Sequence, residues 1–473
     1  MRWAPIILLL LISASEATRP NILFIYLDDF GWRDTSYSGS DFYETPNIDK
    51  LANGGMTFNN AYAAAANCAP SRASMITGTY SPRHQIYNVG TKPRGKSKFR
   101  KLEHITGKAS LDKGVKTWSK FAQESGYKTA SIGKWHLGKN PKDHGFDINI
   151  SGSQSGSPPK GYFPPHGNVS GLESVGENEY LTDSLTNETI KFIKKNSTKQ
   201  WLAYLSHFAV HTPLQAKETD IKKFEKKTAG KLHDHVIMAG MIKAVDDGIG
   251  KIINTLSELK IKENTIIIFY SDNGGYGPAT SMHPLKGYKG TYYEGGIRVP
   301  FFVNWPDVVA SKTRCSTPIT GVDIYPTICE MIMGEDYENQ KGDGISIVPL
   351  LKGNNIKERE LYWHFPAYLQ SYLRADEQPD PLFRARPCSV IRKGKWKLIE
   401  YFENNNVELF DLNNDIGEKN NLSQLRPEIT KSLKKQLAMW RKNTKAAVPV
   451  KKNPNYDAEA ERQAIIEFSK KYN

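Results

Sequence analysis

The stretch Asn67–Tyr80, NCAPSRASMITGTY, sets a lone cysteine two residues ahead of a proline. Proline suits the first turn of a helix, where its missing N–H costs nothing, so Cys68 and Ala69 fall at the cap. A nucleophile at that point faces free N–H groups and the positive end of the helix dipole, surroundings that favour an anion such as sulfate or phosphate. Arg72 adds a planar cationic fork that matches an oxyanion. Two further pairs, Asp28–Asp29 and Asp272–Asn273, each follow directly on an apolar run. Three carboxylates and an amide carbonyl form a hard, oxygen-only set, which suits Ca²⁺ or Mg²⁺ and disfavours Zn²⁺. Lys134 and His136 follow a third run at alternate spacing, so both side chains point the same way. An ammonium and an imidazole together can neutralise an anion and move a proton.

Each of these residues also has a plainer account. Cys68 alone reads as an inert buried thiol, Asp28–Asp29 as a turn or a helix cap, and the lysines and histidines as surface and structural groups. Asp246–Asp247 lies within a helical pattern and reads as a solvated face or a cap, not as a metal site. His144 in HGFD and His207 in LSHF read as packing and turn positions.

The elements that must position the reactive residues are four short apolar runs, each ending in a polar burst: Asn21–Asp29, Lys128–His136, Trp201–His211 and Asn264–Gly275. Continuous apolar strands are buried on both faces, as in a parallel sheet. Helical patterns lie between them, among them one with Val236, Met241, Val245, Ile249, Ile252 and Leu256 near helical spacing. The alternation predicts an α/β fold whose ligands sit at the carboxyl ends of the strands, so the polar bursts converge on one pocket. The segments Lys92–Gly114 and Ser151–Gly176 are rich in Gly, Pro, Ser and Lys and read as long loops at the rim of that pocket. After Asp343–Gly353 the pattern turns to short strands and a helix, PEITKSLKKQLAMWRKN, which predicts a smaller α+β subdomain with an antiparallel sheet over 351–473, beside a catalytic α/β domain over 18–350.

Residues 1–17, MRWAPIILLLLISASEA, have the layout of a secretory signal peptide, and that apolar run is too short to span a bilayer. The mature chain is expected to be secreted or periplasmic, with no membrane span. The formal net charge of +14 favours acidic partners. Export argues against nucleic acid, and runs such as Lys217–Lys227 read as solvated helical faces. Four cysteines in 473 residues are too few for a disulfide framework; a Cys315–Cys329 pair is conceivable but not deducible.

The segment Cys68–Gly78, CAPSRASMITG, resembles the signature of the type I, formylglycine-dependent sulfatases, and Gly126–Gly138, GYKTASIGKWHLG, resembles their second signature. The metal segments, the basic segment and ELFDLNNDIGEKNNL (Glu408–Leu422) also look like the family, so the resemblance covers nearly the whole mature chain. It implies an alkaline-phosphatase-like fold with a large, mostly parallel sheet. It implies that Cys68 is converted to formylglycine by a formylglycine-generating or anaerobic sulfatase-maturating enzyme. In that family the aldehyde hydrates to a geminal diol, one hydroxyl attacks the sulfate sulfur, and the other then expels sulfate. The resemblance further implies a calcium site of Asp28, Asp29, Asp272, Asn273 and an oxygen of residue 68. His211 and Lys289 match positions used for substrate binding and proton transfer. Arg72, Lys134, Lys289 and the cation would neutralise the sulfate oxygens. His136 is assigned to the diol and His211 to the leaving group.

The stretches GYFPPHGN, YLTDSLTNETIKFI and WHFPAYLQ look like a bacterial branch acting on polysaccharides, with sulfated galactose or N-acetylgalactosamine units as the expected substrate. Aromatic and basic residues of Tyr362–Gln370, with Arg374, Arg384 and Arg386, are candidates for a sugar subsite; packing of the subdomain is the alternative. Two rivals differ in class: a phosphomonoester or phosphodiester hydrolase of the alkaline phosphatase superfamily, and a non-catalytic glycan-binding homologue that keeps Cys68 as a thiol.

Overall fold

Asn21–Leu27, NILFIYL, is buried at all seven positions and forms the middle of an eight-stranded sheet. The computed structural model describes residues 19–166, 171–172, 179–337, 342–372 and 380–472. Residues 1–17, read above as a signal peptide, and Arg374 lie outside the described residues.

The strand order is Ile148–Ile150, Lys128–Gly133, Trp201–Ser206, Asn21–Leu27, Thr265–Ser271, Phe301–Asn304, Met56–Phe58 and Thr313–Cys315. The four strands expected from the apolar runs are consecutive neighbours and parallel. Only Phe301–Asn304 runs against the rest. The sheet is buried on both sides, and alternation along one strand divides its side chains between two cores. Leu23, Ile25 and Leu27 join one cluster with Leu185, Ile193, Met241, Val245, Ile249, Ile252 and Leu256 of the helices Leu181–Lys195 and Val236–Glu258. Ile22, Phe24 and Tyr26 join the other with Ala73 and Ile76 of the helix Cys68–Thr77, and with Trp118 and Ile328. At about 1.5–3 kcal/mol for each large apolar side chain buried, these two faces fix which residues of each strand point to which side, and the parallel register brings the strand ends level.

Asp246 corrects the sequence reading in part. It is buried and accepts the N–H groups of Asn47 at 3.0 Å and Ile48 at 2.8 Å, so it caps the neighbouring helix Pro46–Asn53 instead of meeting solvent. Asp247 pairs with Lys243.

The C-terminal part contains an antiparallel sheet in the order Glu360–Phe365, Cys388–Lys393, Trp396–Tyr401, Val407–Asp411. One face packs Ile391, Leu398 and Leu409 under Leu433, Leu437 and Trp440 of the helix Pro427–Thr444. The other packs Trp363, Val390 and Phe410 against Tyr62, Tyr293 and Ile297 of the large sheet's connections. A buried ionic cluster reinforces that junction: Lys397 Nζ lies 3.0 Å from Glu294 and 2.8 Å from Glu418, all three without exposure. The helix Ala458–Tyr472, which the sequence reading did not single out, lays Ala460 and Ala464 on Phe99, Tyr368 and Phe383. All four cysteines are free, Cys315 and Cys329 included. Among the described residues no helix is long and apolar enough to cross a membrane.

Candidate active site

Register brings the strand ends level: Leu27 lies beside Ser271, and Gly133 and Tyr26 lie on either side of Ser206. The next residues of each strand, Asp28–Asp29, Lys134, His207 and Asp272–Asn273, therefore leave the sheet at one edge. Gly133 has φ +101°, and a Cβ there would stand 1.9 Å from the Ser206 carbonyl oxygen. Only glycine lets the chain turn so tightly that Lys134 N donates to that carbonyl at 2.7 Å. Asp29 and His136 also adopt left-handed φ values of 59° and 62°, strained for residues with a Cβ. Gly156 accommodates His136 in its turn: a Cβ at 156 would lie 2.5 Å from the imidazole.

Cys68 is the first residue of the helix Cys68–Thr77, with Asn67 as its cap, one residue earlier than the sequence reading placed the cap. The Asn67 side chain does not cap the helix but donates to Asn88 Oδ1 at 3.0 Å. Ligand atoms of Asp28, Cys68 and Asp272 all lie within 4.8 Å of one another, as do those of Asp28, Asp29 and His211.

The cations are distributed among these carboxylates. Lys134 Nζ donates to Asp28 Oδ2 at 2.5 Å, and Lys289 Nζ lies 2.7 Å from both oxygens of Asp29. Arg72 is likewise committed to a carboxylate. Its fork closes on Asp272 Oδ2 (Nε 2.9 Å, Nη2 2.8 Å), Nη1 donates to Ser206 Oγ at 2.6 Å, and the guanidinium lies over the Tyr26 ring at 4.8 Å. With no exposure, it braces the carboxylate set.

Two buried oxygens in this set, Asp28 Oδ1 and Asn273 Oδ1, have no hydrogen-bond partner. Buried acceptors are rarely left so. A hard divalent cation is the partner that such a set of carboxylate and amide oxygens fits. Asn273 Nδ2 donates to Asp29 Oδ1 at 2.8 Å, which turns its amide oxygen away from that carboxylate.

Burial pushes the Asp272 carboxyl up to about 7, with Asp28 adding to the rise against Arg72 and Lys134. Burial likewise raises Asp28, against the pull of Lys134. Asp29 is also buried, yet Lys289, His211 and Lys134 hold it below the usual carboxylate range. Burial pushes the Cys68 thiol up despite Lys134 and Lys289, so at neutral pH it is a thiol and a poor nucleophile. Burial and Lys289 lower His211 to about 3, and burial and Lys134 hold His136 well below its ordinary value. His211 Nδ1 lies 2.7 Å from the Thr212 carbonyl, which fixes the proton there and leaves Nε2 facing Asp29 at 3.9 Å.

Above the carboxylates opens a cleft of about 620 Å³ whose lining includes Asp29, Cys68, His136, His211 and Lys289. Its rim comes from both predicted loops, through Arg94 and Gln154, and from Tyr276, Leu369, Tyr372 and Arg384. Of the candidate sugar-subsite residues, Arg384 reaches the cleft. Tyr362 instead stacks on Trp440 at 4.7 Å, Trp363 donates to the Ala63 carbonyl, and Arg386 is engaged by Asp380, Glu403 and Glu461. These three pack the subdomain, the alternative left open above. His144 lies tilted against Trp135 with ring centroids 5.5 Å apart, and His207 is buried outside the cleft. Arg94, Ser206, Tyr276 and Tyr372 were not identified from sequence; only the loop around Arg94 carried a signal, its rim composition.

Residues 20–334 match the family described as Sulfatase, and residues 288–443 match N-sulphoglucosamine sulphohydrolase, C-terminal. A sulfatase of Formosa agariphila is 30% identical over 503 residues, covering 89% of this chain and 88% of the relative. An N-acetylgalactosamine-6-O-sulfatase of Bacteroides thetaiotaomicron is 27% identical, covering 90% of this chain and 94% of the relative. The crystal structure of Ps i-CgsB in complex with k-i-k-neocarrahexaose superposes with a TM-score of 0.73 at 30% identity, over 95% of this chain and 98% of the other.

Proposed function

Because this chain belongs to the sulfatase family of sulfate ester hydrolases, we propose that it desulfates a poly- or oligosaccharide containing sulfated galactose or N-acetylgalactosamine, with residue 68, as formylglycine, at the reacting centre. The observation that carries this reading is the meeting of Cys68 with Asp28 and Asp272 within 4.8 Å at the end of a sheet, under a cleft wide enough for sugar units. In the structure Cys68 Sγ stands where formylglycine would carry its oxygens. A raised thiol pKa supports a converted residue over a thiolate nucleophile. A maturating enzyme of the formylglycine-generating or anaerobic class would supply the aldehyde, whose hydrate provides one hydroxyl for attack and another to expel sulfate.

We assign Asp28, Asp29, Asp272 and Asn273, with an oxygen of residue 68, to a Ca²⁺ site; Mg²⁺ is the other hard cation the oxygens suit. Such a cation polarises a sulfate oxygen and lowers the pKa of a bound hydroxyl. The chain's own groups do the rest. Lys134 and Lys289 stand beside the carboxylates, so their ammonium groups neutralise sulfate oxygens in a site with little water. His136, held by its left-handed turn, is placed to take a proton from the hydroxyl at residue 68. His211 keeps its Nδ1 proton on the Thr212 carbonyl and offers Nε2 to the leaving oxygen. An incoming anion favours the imidazolium and so counters the burial that keeps His211 neutral.

The relatives' substrates support a galacto-configured sugar: one is named for N-acetylgalactosamine 6-O-sulfate, and one solved structure holds a neocarrahexaose. We further propose that residues 1–17 direct export to the periplasm or medium, and that the catalytic domain ends near residue 350. The test is a screen of defined sulfated mono- and oligosaccharides with the enzyme produced alongside a maturating enzyme. Release of sulfate from galacto-configured substrates is expected; faster cleavage of aryl phosphate than of aryl sulfate would overturn the reading.

A further inference from the structure

Two guanidiniums in the cleft, Arg94 and Arg384, face no carboxylate among the described residues. Arg72, Arg298, Arg359 and Arg386 each do. The pair is nonetheless built with care. Arg94 Nε donates to Gln370 Oε1 at 2.9 Å, and Arg384 Nε donates to the backbone carbonyl of the same residue at 2.8 Å, so Gln370 holds both. Arg384 Nη1 also donates to the Lys289 carbonyl at 3.3 Å, and its guanidinium lies 3.6 Å from the centroid of the Tyr372 ring. Gly290, at φ +93°, leaves that guanidinium room: a Cβ there would stand 3.2 Å from Nη1.

Holding two cations together in a partly dry cleft costs free energy that an anion between them recovers. Burial and Arg384 both lower the pKa of Arg94, in keeping with an unneutralised pair. The donors that remain at Arg94 and Arg384 suit the planar or tetrahedral oxygens of a carboxylate or sulfate. Their place relative to the reacting centre is set by Lys289. Its ammonium reaches Asp29, whereas Arg384 holds its backbone carbonyl, a lysine side chain's length away.

We infer that Arg94 and Arg384 form a second anion subsite, which reads a second sulfate or a carboxylate on the saccharide whose sulfate is removed. The inference rests on the sulfatase reading of the same cleft. It makes the preferred substrate at least doubly anionic and gives the enzyme a means of choosing among sulfated sugars.

The test compares four substrates: an aryl sulfate, a monosulfated galactoside disaccharide, that disaccharide with a second sulfate, and a counterpart with a neighbouring uronic acid. Wild type is expected to favour one doubly anionic substrate over the monosulfated one by about tenfold or more in kcat/KM, mainly through KM, as expected for a charge-assisted contact. The favoured substrate tells sulfate from carboxylate. Arg94→Gln and Arg384→Gln are each expected to bring that ratio toward one. Arg94→Lys and Arg384→Lys, which keep the charge but lose the fork, supply the same comparison if a glutamine variant fails to fold. A wild-type ratio near one overturns the inference. So does a ratio unchanged in both variants, including an equal loss on every substrate, which would put the arginines on the scissile sulfate. No turnover of any sulfate ester by wild type contradicts the hydrolase reading itself.

Discussion

Arg72 closes both Nε and Nη2 on one oxygen of Asp272, at 2.9 and 2.8 Å, with neither residue exposed. The helix that carries residue 68 is thereby locked to the end of the strand Thr265–Ser271. Removing the guanidinium leaves a buried carboxylate without its partner, a loss of about 3–5 kcal/mol. Arg72→Leu is expected to unfold at a markedly lower temperature in thermal denaturation. Arg72→Lys, which cannot reproduce the fork, should recover only part of the loss.

Asp272 titrates near 7 because of burial and the neighbouring Asp28. The folded protein without cation holds a proton there that the unfolded chain releases near 4. This group's share of stability is therefore full below about 4 and is lost as pH rises through about 7. A divalent cation replaces the proton. The rise in unfolding temperature on adding Ca²⁺ should be larger at pH 8 than at pH 5.5, and Asp28→Asn should remove most of it. Equal shifts at both pH values would contradict the proposed ligand set.

At the junction of the two sheets Lys397 pairs with both Glu294 and Glu418 with no access to water, and Arg298 also meets Glu294. Burial raises the Glu418 carboxyl to about 7 even with Lys397 beside it. Lys397→Met should cost about 3–5 kcal/mol at pH 8, where two buried carboxylates face each other. The sign follows from the raised pKa: the folded state binds the proton more tightly than the unfolded one, so lowering the pH to about 5 should shrink the deficit. Denaturant titrations at the two pH values check this.

Gly156 lies where a methyl group would strike the His136 imidazole. Gly156→Ala is expected to lower kcat for aryl sulfate about tenfold or more through displacement of His136, with little change in unfolding temperature. A matched loss of stability and activity would instead make Gly156 a structural glycine only.

Much of the site was legible because it depends on local rules. Four continuous apolar runs gave the parallel sheet, and strand ends in such sheets gather polar residues, so Asp28, Asp29, Lys134, Asp272 and Asn273 could be grouped before any coordinates. What escaped depends on non-local packing. Arg72 is one residue type with two uses, an oxyanion fork or a brace, and only the position of Asp272 across the sheet decides between them. Tyr362 and Trp363 looked like sugar platforms because their composition says aromatic and not where Trp440 or Ala63 will lie. Arg94 and Tyr372 come from segments without periodicity, and nothing in their spacing announces that Gln370 and Arg384 will meet them.

Residue 68 itself offers the most direct test. The protein from its natural host, digested with trypsin, yields the fragment Leu51–Arg72, and its mass reports the state of that side chain. The account predicts a fragment lighter by the exchange of H₂S for O, reactive toward hydrazides, in the same preparation that releases sulfate. Turnover should be lost in Cys68→Ala without loss of the folded state. A fully active enzyme whose fragment carries an unmodified thiol would contradict it.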